Sequence, residues 1–255
     1  MTYSIVARDA ETGAFGVAVA SRFFAVGAVV PYVRGGVGAV ATQAFGSPLY
    51  GTDGIELLAK GIAADAVLRA LSERDAGRAH RQVHLIDGRS RIAAFTGERC
   101  IDWAGHRTGD GVSVAGNMLA GPQVVAATFE AYQAHLDLPF VERLLTAMEA
   151  GEAAGGDKRG RQSAALKIVH GEAYPWLDIR ADDHADPLAE LRRLYAVAQE
   201  RYLLFAEMLP TAANPSGTLD RSDFDRRVAE QEAQRQAEGR PSVSHATGSP
   251  AILPD

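Results

Sequence analysis

The sequence predicts an α+β protein built from two mainly antiparallel sheets, each covered by helices. Three observations lead there. Strand-like runs come in blocks rather than alternating singly with helices, which argues for antiparallel layers over a strict βαβ succession. The runs up to Gln43 are continuously apolar instead of alternating, as strands covered on both faces are. Nearly half of the 255 residues are hydrophobic and under a quarter are charged, enough for a sizeable core.

The elements follow in order. Tyr3 to Arg8 and Phe15 to Ser21 are apolar runs around the turn cluster Asp9 to Gly13, a hairpin signal. Ala25 to Val33 and Val37 to Gln43 read as two more strands, split by Gly35-Gly36. From Thr52 to Leu71 the period changes. Ile55, Leu58, Ile62, Val67 and Leu71 fall near helical spacing, with a break around Gly61 and an end at Asp75 to Gly77, so two helices are expected. Gln82 to Asp87 and Ile92 to Thr96 return to strand character, with Asp87-Gly88 between them. Ser113 to Gly116 is a short strand entering a loop. Val124 to His135 and Phe140 to Ala150 are helical, and a Gly-rich loop follows. Ser163 to His170 and Leu177 to Asp182 are two closing strands.

Residues 184–209 contain one amphipathic helix, Leu188 to Met208, whose apolar stripe includes Leu188, Leu191, Leu194, Tyr195, Ala198, Tyr202 and Phe205. The stripe serves core packing or a homo-oligomer interface, and a homo-oligomer is the expected assembly. Pro210 to Gly217 breaks the helix, Ser222 to Glu238 is a polar helix, and residues 239–255 read as a disordered tail. The expected organisation is therefore one α+β domain over 1–183, the amphipathic helix over 184–209 and a polar remainder over 210–255.

Composition excludes several classes. A net charge of -6 carries no basic excess of the kind nucleic acid requires. No apolar run reaches the roughly 20 residues that span a bilayer, and the first residues lack a signal-peptide pattern. A cytoplasmic protein with no nucleic-acid or membrane partner is expected. The single cysteine, Cys100, can form neither an internal disulfide nor a Cys-rich zinc site and reads as a structural thiol. His80 and His84 lack a carboxylate to complete a metal site. Gly36-Val-Gly38-Ala-Val-Ala41 fits a dinucleotide fingerprint, but β-like sequence continues where a helix should begin. The expectation is no metal and no organic cofactor.

The chemistry-bearing candidate is Thr2. Removal of Met1 would leave threonine with a free α-amine, which puts a hydroxyl nucleophile and a base on one residue. Thr2 opens a β-run, and a hairpin at Asp9 to Gly13 brings Arg22 near it, unless Arg22 is simply a surface arginine at a strand end. Ser21 lies beside it. Ser21 and Gln43, each closing an apolar run, are candidate substrate-binding groups. Asn117, after a β-like run, either donates to a developing oxyanion or makes a turn. The loop from Gly155 to Ser163 packs an acid, three cations, an amide and a hydroxyl ahead of a buried strand, and Asp157, Arg159 and Gln162 are its candidate substrate-binding residues.

The segments TYSIVARDAETG, GVAVASRFFAVGAVVP, GVGAVATQA, SVAGNML and GGDKRGRQSAAL resemble those of a bacterial and archaeal family of unknown function grouped with the N-terminal-nucleophile (Ntn) hydrolases. The resemblance spans about Thr2 to Asp182 and continues into PLAELRRLY. It implies a four-layer αββα sandwich and cleavage of amide bonds by an N-terminal nucleophile. By resemblance Thr2 is that nucleophile, Arg22 matches the second-strand arginine of the penicillin V acylase and bile-salt hydrolase branch, and Asn117 matches an oxyanion asparagine. Asp157, Arg159 and Gln162 lie in the family's most distinctive loop. The sequence departs from the proteasome branch, which uses an early lysine. Here no lysine precedes Lys60, so Arg22 or Arg34 would supply that charge and the α-amine must be the base. The function expected is amide or ureide hydrolysis in a small polar molecule. The alternative is a non-catalytic ligand-binding or assembly protein on the same fold.

Overall fold

The computed structural model describes residues 2–247 and divides into two compact units, Met1–Leu191 and Arg192–Asp255. Met1, whose removal is expected from the sequence, lies outside the described residues.

In the first unit, β1 (Thr2–Arg8) and β2 (Phe15–Ser21) form the expected hairpin. Its turn closes because the Asp9 carboxylate accepts from the Thr12 backbone N–H and hydroxyl, and Gly13 takes a left-handed φ of 74°. Strand β3 is Pro31–Arg34 and β4 is Gly38–Ala44. Helices α1 (Pro48–Ala59) and α2 (Ala64–Glu73) follow, then β5 (Arg81–Asp87) and β6 (Ile92–Thr96). Strands β7 (Trp103–Gly109) and β8 (Val112–Leu119) precede α3 (Pro122–Ala134) and α4 (Phe140–Ala153). Strands β9 (Ser163–Val169) and β10 (Leu177–Ala181) close the set.

Two antiparallel sheets result. One has the order β10-β9-β2-β1-β8-β7, the other β3-β4-β5-β6. Helices α3 and α4 pack on the first, α1 and α2 on the second, and the two sheets pack against each other. The α+β expectation therefore holds, with both sheets flanked by helices. Continuous burial of β1 and β2 follows from this arrangement. Tyr3 faces the helices and donates to the Met148 carbonyl at 2.9 Å, whereas Val6, Val17, Val19, Ala39, Ala41 and Ile86 form the core between the sheets. A second core, including Val40, Leu58, Val67, Leu71, Val83 and Leu85, seals α1 and α2 onto the smaller sheet.

Three expectations are corrected. Ala25 to Val33 is not one strand: Val26–Ala28 is a 3₁₀ turn, and only Pro31–Arg34 is extended. Val26 and Val30 are buried while Val29 is exposed, so the apolar residues serve one side of a helical turn rather than a strand. Strand β7 was not expected, because it is an edge strand whose polar residues His106, Arg107 and Thr108 face solvent. The helix expected over 188–208 breaks at Arg201 into α5 (Pro187–Glu200) and α6 (Tyr202–Ala206).

The second unit contains α6 and α7 (Ser222–Ala237), where Phe205 and Phe224 meet edge to face at 6.4 Å. No helix or strand occurs from residue 238 to 247. The rest of the tail lies outside the described residues. No helix among the described residues is long and apolar enough to cross a membrane.

His84 on β5 is fully buried between Ser4 and Ser113, at 2.8 Å from Ser4 Oγ and 2.9 Å from Ser113 Oγ. Burial, and then the nearby His106, push its pKa from 6.5 down to about 3. Above pH 6.5 the imidazole is neutral in both folded and unfolded chains. Below it the unfolded chain binds a proton that the folded chain refuses, so stability falls by up to about 1.4 kcal/mol per pH unit toward pH 3. Urea denaturation should show stability falling toward this slope between about pH 6.5 and 5.5, above the range where most carboxylates titrate. His84→Gln should flatten it. An unchanged slope in that variant would assign the effect elsewhere.

Candidate functional site

The site is built where β1 begins, at the centre of the larger sheet. Register places Thr2 opposite Ser21 on β2 and Asn117 on β8. Thr2 Oγ1 is 3.1 Å from Ser21 Oγ. The Asn117 amide donates to the Thr2 carbonyl at 3.4 Å and to Gln82 Oε1 at 3.0 Å. Gln43 donates to the Thr2 carbonyl at 3.5 Å, to Gln82 Oε1 at 2.9 Å and to the Ala115 carbonyl at 3.2 Å.

These residues share one face by strand alternation. Thr2 and Ser4, Gln82 and His84, Ser113 and Asn117 each stand two or four apart and project between the sheets. At that end the intersheet layer is polar, while toward Val6 and Ile86 it is apolar. Gln82 orders the network. Its Nε2 donates to the carbonyls of Gly116 at 2.8 Å and Gly105 at 3.1 Å, and to Thr96 Oγ1 at 2.9 Å. Its Oε1 must therefore be the acceptor for Gln43 and Asn117. Gln43 Oε1 then accepts from Ser4 Oγ at 2.6 Å. With its proton spent, Ser4 accepts from His84 Nε2, which leaves Nδ1 to accept from Ser113. His84 is thus committed on both nitrogens.

A second cluster stands beside Ser21. The buried Asp157 carboxylate accepts from the backbone N–H of Arg22 at 2.8 Å and of Arg159 at 2.9 Å, and pairs with the Arg159 guanidinium at 3.3 Å. Arg22 donates to Gln162 Oε1 at 2.6 Å, and Gln162 donates to Asp183 at 3.1 Å. Gln162 N also binds the Ser21 carbonyl at 3.1 Å, which ties the loop to the end of β2. Arg161 pairs with Glu152 and Asp186, and Lys158 with Asp102.

The structure therefore brings Thr2, Ser21, Gln43 and Asn117 into one hydrogen-bonded group, and Arg22, Asp157, Arg159 and Gln162 into the group next to it. Gln43 lies deep between the sheets, beneath Thr2, with both ends of its amide engaged. Arg34 pairs with Glu56 at 3.4 Å, away from this cluster. Sequence reasoning missed Ser4, Gln82, His84 and Ser113. Their signal was the alternation of polar residues in QVHLID and SVAGN, on strands otherwise buried on both faces. Four large apolar residues stay exposed at the same end of the sheets: Phe23, Phe24, Phe45 and Ile101.

The model for a family of unknown function, DUF1028, matches residues 2–191. The chain belongs to the DUF1028 family. The crystal structure of a DUF1028 protein from Silicibacter pomeroyi is 35% identical, with a TM-score of 0.80 over 86% of this chain and 96% of that one. The structure of Anbu (ancestral beta-subunit) from Yersinia bercovieri is 12% identical, with a TM-score of 0.38 over 82% of this chain and 98% of that one. None of the curated proteins matches the chain. The family match covers every residue of the Thr2 and Asp157 clusters.

Gln82→Leu in this DUF1028 chain should lower stability by about 2–4 kcal/mol. One or two of its partners would be left buried and unsatisfied, at roughly 1–3 kcal/mol each. Urea denaturation reads this directly, and a loss below about 0.5 kcal/mol would mean that the network does not hold the sheets together.

Proposed function

We propose that this DUF1028 chain is an Ntn-type amidohydrolase that cleaves an amide or ureide bond in a small molecule, with Thr2 as nucleophile once Met1 is removed. The observation that carries the reading is the position of Thr2. It is the first residue of the central strand β1, its hydroxyl meets Ser21, and its carbonyl is held by two amides. Two sheets facing each other between pairs of helices support the four-layer αββα sandwich of Ntn type.

In this reading the Thr2 α-amine, neutral in part near its reference pKa of about 7.7–8.0, takes the proton from Oγ1. Oγ1 bonds to the substrate carbonyl carbon. The amine's proton passes to the leaving nitrogen as the C–N bond breaks, and water then hydrolyses the acyl ester with the same amine as base. The α-amine is the base this reading uses. Arginine cannot serve, and both nitrogens of His84 are occupied. Asn117 spends its amide hydrogens on Thr2 O and Gln82 Oε1, so its part is to position Thr2, and backbone N–H groups would hold the oxyanion. Arg22 follows Ser21, the residue that meets Thr2, and its positive charge would favour the neutral amine. Asp157 and Gln162 keep the loop and Arg22 in place. The activity belongs to residues 1–183, and this chemistry calls for no metal or organic cofactor.

A second reading is a non-catalytic ligand-binding protein. Its support is that Thr2 is only 6% exposed. Intact mass of the protein from its native host separates the two. Loss of Met1 together with a single electrophile adduct at Thr2 supports the hydrolase. Across a panel of small amides, Thr2→Ala should abolish turnover without shifting the melting temperature, while Thr2→Ser keeps part of it. Full turnover in Thr2→Ala would sink the hydrolase reading.

A further inference from the structure

A cavity of about 160 Å³ opens beside Asn117, with Phe45, His80, Arg99, Ile101 and Met118 among its walls. Asn117 pairs with Thr2 across the β1–β8 register and donates to its carbonyl, so one wall residue of this cavity contacts the residue proposed as nucleophile. At roughly 30 Å³ per water, it takes a group of about five non-hydrogen atoms, the size of one branched side chain.

Its walls are held in place. Phe45 is 76% exposed, yet its N–H binds the His80 carbonyl at 3.2 Å, its carbonyl accepts from Arg81, and the Arg81 guanidinium lies 5.4 Å over its ring. Arg81 is itself fixed by Asp75 at 2.9 Å. Ala44, which turns Phe45 outward, has a φ of 68°, Met118 a φ of 53° and Asp102, next to Ile101, a φ of 54°. These are three of the five non-glycine residues with positive φ among the described residues. Left-handed backbone at such residues is unfavourable and persists where surroundings impose it.

The charge at the cavity also differs from that of the loop over 157–162. There Arg22, Arg159 and Arg161 all have partners within the protein. Among the described residues no side-chain hydrogen bond or ion pair engages the Arg99 guanidinium. A cation at the mouth of an apolar cavity matches a carboxylate attached to an aliphatic group. Asn117, having turned its Nδ2 to Thr2 O and Gln82 Oε1, keeps Oδ1 as an acceptor for a substrate N–H.

The geometry points to a subsite for the amino-acid half of an N-acyl amino acid. The aliphatic side chain sits between Phe45, Ile101 and Met118, the carboxylate meets Arg99, and the amide N–H meets Asn117 Oδ1. Its role as a substrate site rests on the reading of Thr2 as nucleophile; the binding preference does not.

The test uses N-acetyl-L-leucine, N-acetylglycine, which lacks the side chain, and N-acetyl-L-leucinamide, which lacks the carboxylate. Titration calorimetry on the full chain carrying Thr2→Ala measures binding without turnover. N-acetyl-L-leucine should bind about tenfold tighter than either comparator. Adding Arg99→Ala should erase the preference over the leucinamide and keep the preference over glycine. Adding Phe45→Ala should do the reverse. Equal binding of all three compounds, or a carboxylate preference that survives Arg99→Ala, overturns the subsite. Wild-type protein that shows the binding pattern but hydrolyses no amide removes the Thr2 reading and leaves the subsite standing. Turnover indifferent to side chain and carboxylate does the opposite.

Discussion

The rest of the first unit depends on the side-chain amide of Gln82. A primary amide buried between two sheets is tolerable only if both its ends are satisfied, since an unpaired buried polar group costs as much as several favourable contacts return. Gln82 meets that demand by reaching from the smaller sheet to the carbonyls of Gly105 and Gly116 on the larger one. Its oxygen then sets the orientation of Gln43 and Asn117, and through Gln43 that of Ser4 and His84. One residue thus fixes how the two sheets register at the end where β1 starts.

Thr2 inherits its surroundings from that registration. Its neighbours on β2 and β8 are set by backbone pairing, but the contacts to its carbonyl come from Asn117 and Gln43, one from each sheet. A slip of one residue in either sheet would send this polar set to the helical face and bring apolar residues in its place. The half-apolar, half-polar intersheet layer therefore also selects a single register.

Two neighbouring regions differ in how their charges are spent. Around Asp157 nearly every charged group is paired within the loop or with its immediate supports, so that segment works as a brace on Arg22 and the end of β2. On the other side of Thr2, Arg81 holds the exposed Phe45, while the Arg99 guanidinium has no side-chain partner among the described residues. Preorganised but unspent groups are what recognition requires.

Much of the fold was legible in the sequence. The hairpin at Asp9 to Gly13, the helical spacing from Ile55 to Leu71 and the doubly covered runs of β1 and β2 are consequences of local conformational preference and periodicity, so the residues themselves dictated them. So did the candidacy of Thr2, and of the acid and arginines around residue 157. Val26 and Val30 were misread because an apolar run does not reveal whether its period is 2 or 3.6 when it is short, and β7 was missed because an edge strand needs no apolar face. The partners of Thr2, the tautomer of His84, the burial of Gln43 and the cavity lined by Phe45 and Arg99 were settled only by tertiary structure. Each depends on contacts between strands far apart in sequence, and hydrogen-bond direction passes from one side chain to the next only once those strands are in register.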